Sequence, residues 1–221
     1  MSQPYKRGGF YYVDGKPYPS VTQIIGCLDK PGLRYAFGRE VYRAFAKNPE
    51  MGEKEALAAP YVLWGQAAKR GSAVHKLIEA WETRIVGITD PELQGYMEAF
   101  RNWIDDLGVV LSEHERTVVS RKHIYAGTLD LLVAIGRSRV PLIVDAKTGK
   151  DIYPETQLQL SAYRQALNEE GIKTRGCGAL LLKDNGKYRW EPLEYNYLQE
   201  FLAAKKLWLW QNKEEWERMK T

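Results

Sequence analysis

Apolar positions recur at helical spacing from Pro19 to about Leu107, and this pattern predicts an N-terminal helical subdomain over residues 19–107. Turn-prone residues break the pattern at residues 29–32, 47–52 and 87–91. Residues 61–86 lie between two of these breaks and are expected to form one long helix. Ahead of the subdomain, an Asp-Gly pair between short aromatic runs predicts a β-hairpin over residues 10–18.

From Glu115 onward the pattern changes to short β-rich runs separated by turns. The runs cover residues 117–120, 125–135, 140–146, 177–183 and 188–193. Residues 156–167 return to helical spacing, and residues 197–219 close the chain as a Trp-rich helix. The sequence therefore predicts an α/β fold with a central mixed sheet flanked by helices. The core would be residues 110–195, followed by a C-terminal helix over residues 196–221.

Composition narrows the class of protein. The 221 residues fit one domain, and 44% hydrophobic and 27% charged residues are typical of a globular protein. No apolar run approaches the roughly 18 residues that a membrane span needs, and the N-terminus does not resemble a signal peptide. Two distant cysteines, Cys27 and Cys177, exclude a disulfide scaffold and a four-cysteine cluster, and indicate a cytoplasmic protein. A net charge of +4 permits a polyanionic partner without requiring one.

The most informative residues are Asp130 and, fifteen positions later, Asp145 and Lys147. Residues two apart on a strand share a face, so Asp145 and Lys147 project to the same side. The turn at residues 136–139 would bring the strand of Asp130 back beside that of Asp145. Two converging carboxylates repel each other unless they hold a cation, and oxygen ligands favour Mg²⁺ or Mn²⁺. The other interpretation is an ion pair between Asp145 and Lys147 at a strand end.

Four short motifs in order resemble the PD-(D/E)XK nuclease superfamily, in particular its RecB-type branch with phage exonucleases. The motifs are Gly71-Ser72-Ala73-Val74-His75, Gly127-Thr128-Leu129-Asp130, Asp145-Ala146-Lys147 and Gln159-Leu160-Ser161-Ala162-Tyr163. The opening Tyr18-Pro19-Ser20-Val21-Thr22-Gln23-Ile24-Ile25 is similar to a segment of the phage members. Leu129 replaces the proline of the superfamily's name, as is common in this branch. The cysteines that bind an iron–sulfur cluster in some relatives are missing, so no such cluster is expected.

The resemblance implies a restriction-endonuclease-like core and a role for each motif residue. The implied metal ligands are His75, Asp130, Asp145 and the backbone carbonyl of Ala146, with Glu115 as a further candidate. Asp130, Asp145, Lys147, Gln159 and Tyr163 are the implied catalytic residues. One or two Mg²⁺ or Mn²⁺ ions would serve as cofactor. Alternatives stay open for His75 as a structural residue, Glu115 as a solvated glutamate, and Tyr163 as a core residue.

The resemblance also implies a function. The expected reaction is hydrolysis of DNA phosphodiester bonds by metal-activated water, as an exonuclease in phage or bacterial DNA recombination, repair or processing. A structure-specific endonuclease and a non-cleaving DNA-binding or assembly module of the same fold are the alternatives. DNA is the expected partner, and a single-strand-binding or annealing protein is a second candidate. A phage-encoded protein would act in the host cytoplasm.

Overall fold

The computed structural model describes residues 4–83 and 90–220. The strands are β1 (Tyr5–Arg7), β2 (Phe10–Val13), β3 (Lys16–Pro19), β4 (Val109–Ser120), β5 (Tyr125–Ile135), β6 (Leu142–Lys147), β7 (Gly176–Leu182) and β8 (Tyr188–Pro192). The helices are α1 (Val21–Ile25), α2 (Pro31–Lys47), α3 (Glu53–Glu79), α4 (Pro91–Leu107), α5 (Glu155–Glu169), α6 (Leu198–Gln211) and α7 (Lys213–Lys220). A turn of 3-10 helix, Ala80–Thr83, follows α3.

Strands β1, β2 and β3 form a small antiparallel sheet at the N-terminus. Asp14 and Gly15 join β2 to β3 with φ angles of 49° and 77°. Both central residues of a type I′ turn need a positive φ, and the Asp-Gly pair supplies it at low cost. The predicted hairpin over residues 10–18 is confirmed, and β1 adds a third strand to it.

Residues 19–107 contain α1 to α4, and the predicted breaks at residues 29–32 and 47–52 overlap the gaps between α1, α2 and α3. The third predicted break, at residues 87–91, lies largely outside the described residues. Ser20 caps α1 in a reciprocal capping box with Gln23. Asp90 caps α4, and Pro91 occupies its first turn.

The predicted long helix over residues 61–86 is wrong at its start, because α3 begins at Glu53. Pro60 was expected just outside the helix, where proline is tolerated best, but it lies buried inside α3. Glu53 and Glu55 in the first turn favour the earlier start by complementing the helix dipole. At the other end α3 stops at Glu79, and residues 84–89 lie outside the described residues.

The main sheet has the strand order β4-β5-β6-β7-β8. Neighbouring strands are antiparallel, except that β6 and β7 pair in parallel. Helix α5 connects β6 to β7 along the chain. The sheet is therefore mixed, as predicted. β4 begins at Val109, earlier than expected, because Gly108 ends α4 in the left-handed conformation (φ 59°) and leads directly into the strand.

The main sheet is buried on both faces. Val118, Leu129 and Ile143 pack with α1, α5 and α6 on one face, and Leu131 and Val144 pack with α3 and α4 on the other. This two-sided burial explains why β5 is continuously apolar over residues 131–135 and β6 over residues 142–144. Among the described residues, no helix is long and apolar enough to cross a membrane.

The predicted C-terminal helix over residues 197–219 is interrupted, because α6 ends before Asn212 and α7 follows it. The Asn212 side chain donates to the carbonyl oxygen of Trp208 (2.8 Å) and competes with the regular helical hydrogen bonds. Trp208 is buried and Trp216 packs against the same core, as expected for this helix. Trp210 is 76% exposed and does not join them.

Candidate active site

Strands β5 and β6 separate at the point where each carries a carboxylate. Leu131 and Val144 form the last pair of their ladder, and the same register would next place Asp130 opposite Asp145. Instead the backbone N–H of Ala146 donates to Oδ2 of Asp130 at 2.8 Å. The Asp130 side chain therefore bridges the two strands, and the expected adjacency of the strands of Asp130 and Asp145 is confirmed.

Helix α3 brings His75 to the point where β5 and β6 separate, here called the notch. With its proton on Nε2, His75 donates to the carbonyl oxygen of Ala146 at 3.1 Å. Nδ1 then faces Oε1 of Glu115 at 3.6 Å and Oδ1 of Asp130 at 3.7 Å. One turn earlier, a Cβ at Gly71 would lie 3.2 Å from the hydroxyl of Thr148, so the absence of a side chain lets α3 lie close to the end of β6.

Glu115 lies opposite Asp130 in the register of β4 with β5, because its neighbours His114 and Arg116 pair with Leu131 and Leu129. Its φ of 46° is left-handed, which is uncommon for a glutamate and costs conformational energy. Glu115 also falls in the middle of β4 and not at a strand start. Ligand atoms of His75, Glu115 and Asp130 lie within 4.8 Å of one another, the spacing of a candidate metal site.

Asp145 belongs to a second, buried group. Its side chain is 1% exposed, and its Oδ2 forms an ion pair with Nζ of Lys147 at 2.6 Å. Gln159 donates to Oδ1 of Asp145 (2.9 Å) and lies within 3.2 Å of the Tyr163 hydroxyl. Gln159 and Tyr163 share the buried face of α5. Asp145 is thus held from two sides and stands beside the first cluster without belonging to it.

Tyr163 fits against the glycine of the Gly127 motif. A Cβ at Gly127 would lie 2.5 Å from Cε1 of the Tyr163 ring, so only glycine allows this contact. Burial raises the pKa of the Tyr163 hydroxyl well above its usual range, and the charges of Asp130 and Asp145 raise it further. The phenol is therefore neutral and acts as a hydrogen-bonding partner.

Burial and neighbouring charges shift the pKa of the central groups. Burial raises the pKa of Asp130, and the negative charge of Asp145 adds to that increase. Burial lowers the pKa of His75, but the carboxylates of Glu115 and Asp130 outweigh it and raise that pKa overall. Burial also acts to lower the pKa of Lys147, and Asp145 and Asp130 reverse the effect, so Lys147 stays charged. When Asp130, Asp145 and Glu115 are all ionised, their charges exceed that of Lys147, and a divalent cation would neutralise the excess.

An open cavity of about 590 Å³ adjoins the cluster. Its lining residues are Gly71, Ser72, His75, Lys76, Glu79, Glu115 and Asp130. Glu79, one turn beyond His75 on α3, is therefore part of the cavity wall. His114 is half-buried and lines a smaller adjoining cavity.

Sequence reasoning missed Tyr11 of the N-terminal sheet. Its hydroxyl lies 2.8 Å from Oγ1 of Thr128, two residues before Asp130 on β5. Burial raises the pKa of Tyr11, its hydrogen bond to Thr128 lowers it, and the charge of Glu115 raises it further. Aromatic residues in a hairpin are usually core residues, and nothing in their spacing indicated this contact.

No family model matches this chain, and no curated protein sequence matches it. Among solved structures, the chain is similar to an alkaline exonuclease from Laribacter hongkongensis (LHK-Exo), with a TM-score of 0.50 and 11% sequence identity. The match covers 92% of this chain and 91% of that one. A second structure of LHK-Exo, in complex with dAMP, has a TM-score of 0.45 at 11% identity, covering 90% and 88% of the two chains. The first likeness confirms the fold that the motifs implied: this chain shares the fold of an exonuclease over nearly its whole length.

The donor atoms at the notch fit a hard divalent cation. Carboxylate oxygens come from Glu115 and Asp130, and imidazole nitrogen comes from His75. Such a mixed set suits Mn²⁺ and is acceptable to Mg²⁺, whereas the absence of thiolates disfavours softer metals.

Proposed function

We propose that this protein is a metal-dependent deoxyribonuclease that hydrolyses phosphodiester bonds at the notch between β5 and β6. The observation that carries the proposal is the pairing of a His75–Glu115–Asp130 cluster with a buried Asp145–Lys147 pair at one end of the sheet. This pairing lies on a fold that an exonuclease shares.

His75, Glu115 and Asp130 would hold the cation, with Asp145 and the carbonyl oxygen of Ala146 as additional ligands. When bound, the cation would lower the pKa of a ligated water and stabilise negative charge on the phosphate. One or two Mg²⁺ or Mn²⁺ ions fit this set of donors.

Lys147 supplies the positive charge of the site. Its ammonium group lies 2.6 Å from Asp145 and remains protonated, so it can hold the attacking water or the phosphate oxygen by a charge-assisted hydrogen bond. It thereby offsets the charge that develops as the phosphodiester bond breaks.

Gln159 and Tyr163 position these groups without touching the reacting atoms. Gln159 fixes one oxygen of Asp145, so the other oxygen stays directed at Lys147. Tyr163 lies beside Gln159 and is itself fixed by contact with Gly127. Because both side chains are buried, the orientation of Asp145 is set before a substrate arrives.

We propose that cleavage proceeds from DNA ends, and substrates with and without ends test this directly. End-labelled linear, covalently closed circular and single-stranded DNA are incubated with the protein, with Mn²⁺ or with EDTA. Progressive release of nucleotides from linear DNA with Mn²⁺, and resistance of closed circles, is the expected result. Rapid linearisation of closed circles would indicate an endonuclease and leave the metal-site proposal standing.

A further inference from the structure

Helix α2 has no buried residue along its 17 positions, and its main packing partner is the first half of α3. Residues 31–68 thus form a two-helix projection, here called the arm. Its exposed large apolar side chains are Leu33, Tyr35, Tyr42, Phe45, Leu57, Tyr61, Val62 and Leu63. So many exposed apolar groups on one element usually mark a binding surface.

One face of α3 leads from the arm to the active site. Trp64 and Tyr61 lie 11 and 14 residues before His75 on α3, close to three and four whole turns, so all three share one face of the helix. The sequence between Tyr61 and His75 contains no proline, and the helical rise places the two aromatic residues about 16 and 21 Å from His75. The active-site cavity extends towards them, because Gly71 and Ser72 line it.

The aromatic rings on this face contact one another; Tyr61 is exposed, and Trp64 and Phe37 are half-buried. Tyr61 is 64% exposed. Its ring packs edge-on against Phe37 of α2 and against Trp64, with centroid separations of 5.6 and 5.8 Å. This support holds one ring in place and leaves much of it open to a flat partner.

Helix α2 is positively charged, whereas Glu50, Glu53 and Glu55 offset much of that charge over the rest of the arm. Helix α2 carries one acidic residue, Glu40, which pairs with two of its four basic residues, and Asp29 pairs with a third; the basic residues are Arg34, Arg39, Arg43 and Lys47. Lys69 and Arg70 add basic groups on α3 between the arm and His75. A two-fold interface formed by α2 would set this positive excess against itself, which disfavours a second copy as the occupant.

We propose that the face of the arm formed by Tyr61, Trp64 and Phe37 stacks the bases of a single-stranded DNA segment whose end reaches the His75 cluster. This inference rests on the proposed nuclease function and adds a substrate class to it. Aromatic rings with neighbouring cations are the usual means of holding single strands without sequence preference. A single strand spaced at about 3.4 Å per nucleotide would need about six nucleotides to cover the 21 Å from His75 to Tyr61.

Fluorescence anisotropy of labelled oligothymidines, with Ca²⁺ in place of Mn²⁺, tests the proposal. The three oligonucleotides are a 4-mer, a 12-mer, and a second 12-mer that is abasic beyond its fourth nucleotide. The wild-type protein should bind the full 12-mer about tenfold or more tightly than either of the others, as stacking predicts. Tyr61→Ala should lose most of that gain, and Tyr61→Phe, which keeps the ring, should retain it.

Leu63→Ala is the matched control, because Leu63 is also exposed but lies two residues on, nearly opposite Tyr61 around the helix. It should bind all three strands like the wild type. Equal binding of the full and the partly abasic 12-mer, or an unchanged 12-mer affinity in Tyr61→Ala, would overturn the proposal. So would sedimentation analysis showing a wild-type dimer that Tyr61→Ala dissociates. Failure of the nuclease function itself would be distinct: the wild type would bind these strands yet hydrolyse no DNA with Mn²⁺.

Discussion

Asp145 and His75 stand on opposite sides of one notch, and the protein holds them in different ways. Asp145 is 1% exposed and is fixed by Lys147 and Gln159. His75 extends from α3, whose first half joins the exposed arm. The sheet side of the site is therefore preorganised by burial, whereas the helical side is open to a ligand. We therefore propose that the metal is held between the two sides, and that the DNA strand approaches from the more open helical side.

The largest effect should come from the buried side. Asp145→Asn keeps the shape of the side chain but removes the charge that faces Lys147, and we expect DNA hydrolysis to fall by about 10³-fold or more. Acid-soluble nucleotide release with Mn²⁺ measures it. Asp151→Asn is the control, because Asp151 is an exposed residue six positions on, paired with Arg189. Near-wild-type hydrolysis by Asp145→Asn would remove Asp145 from the mechanism.

On the helical side, His75→Ala should impair metal use more than DNA binding. Loss of the imidazole leaves two carboxylates in the cluster, so the Mn²⁺ concentration for half-maximal activity should rise by about 10- to 100-fold. His123→Ala removes a histidine that stacks on Tyr125, outside the cluster, and should leave the Mn²⁺ dependence unchanged. If His75→Ala kept full activity at low Mn²⁺, His75 would be a structural residue.

Two glycine substitutions should change stability in opposite directions. Gly127→Ala places a Cβ 2.5 Å from the Tyr163 ring and should lower the free energy of unfolding by about 1–3 kcal/mol. Gly65→Ala, on the exposed face of α3 with no atom near the added Cβ, should raise it by up to about 1 kcal/mol. Urea unfolding of both variants measures these changes. A stable, fully active Gly127→Ala would show that Tyr163 does not depend on this contact.

A smaller effect is expected from pH. The pKa values of His75 and Asp130 are both raised, so in the metal-free protein these groups hold protons at a higher pH than usual. Mn²⁺ binding must displace those protons. The Mn²⁺ affinity should therefore rise as pH increases from about 6 to about 8.5, by at most about tenfold per pH unit for each proton displaced. Calorimetric titration with Mn²⁺ in buffers of different ionisation enthalpy measures the protons released. An affinity independent of pH across that range would contradict these pKa directions.

Much of the sheet could be predicted because its signal is local. The runs around Leu131 and Val144 are apolar over their whole length, and the turn at Gly136 fixes which strands pair. The Gly127 motif was recognised only through the resemblance, and the contact between Gly127 and the Tyr163 ring is seen only in the fold.

The structural features that could not be predicted from the sequence depend on tertiary contacts. The left-handed backbone at Glu115 arises where β4 passes Asp130, and no spacing pattern encodes it. Pro60 inside α3 overrides the usual preference of proline for a helix start. The hydrogen bond from Gln159 to Asp145 likewise requires β6 and α5 to be packed together. The ion pair between Asp145 and Lys147, by contrast, is the one that their spacing on a strand had raised as an interpretation.

The central claim is that a cation held between β4, β5 and α3 drives hydrolysis, and the Asp130→Asn variant tests it most directly. Asp130 links both halves of the site, since it accepts from Ala146 and faces His75. Nucleotide release from linear DNA is measured beside Mn²⁺ binding for wild type and variant. The wild type should bind Mn²⁺ and release nucleotides, and should stop when EDTA is added. Asp130→Asn should remain folded yet lose both properties. Hydrolysis by Asp130→Asn at the wild-type rate, or by the wild type in EDTA, would contradict the proposed metal site.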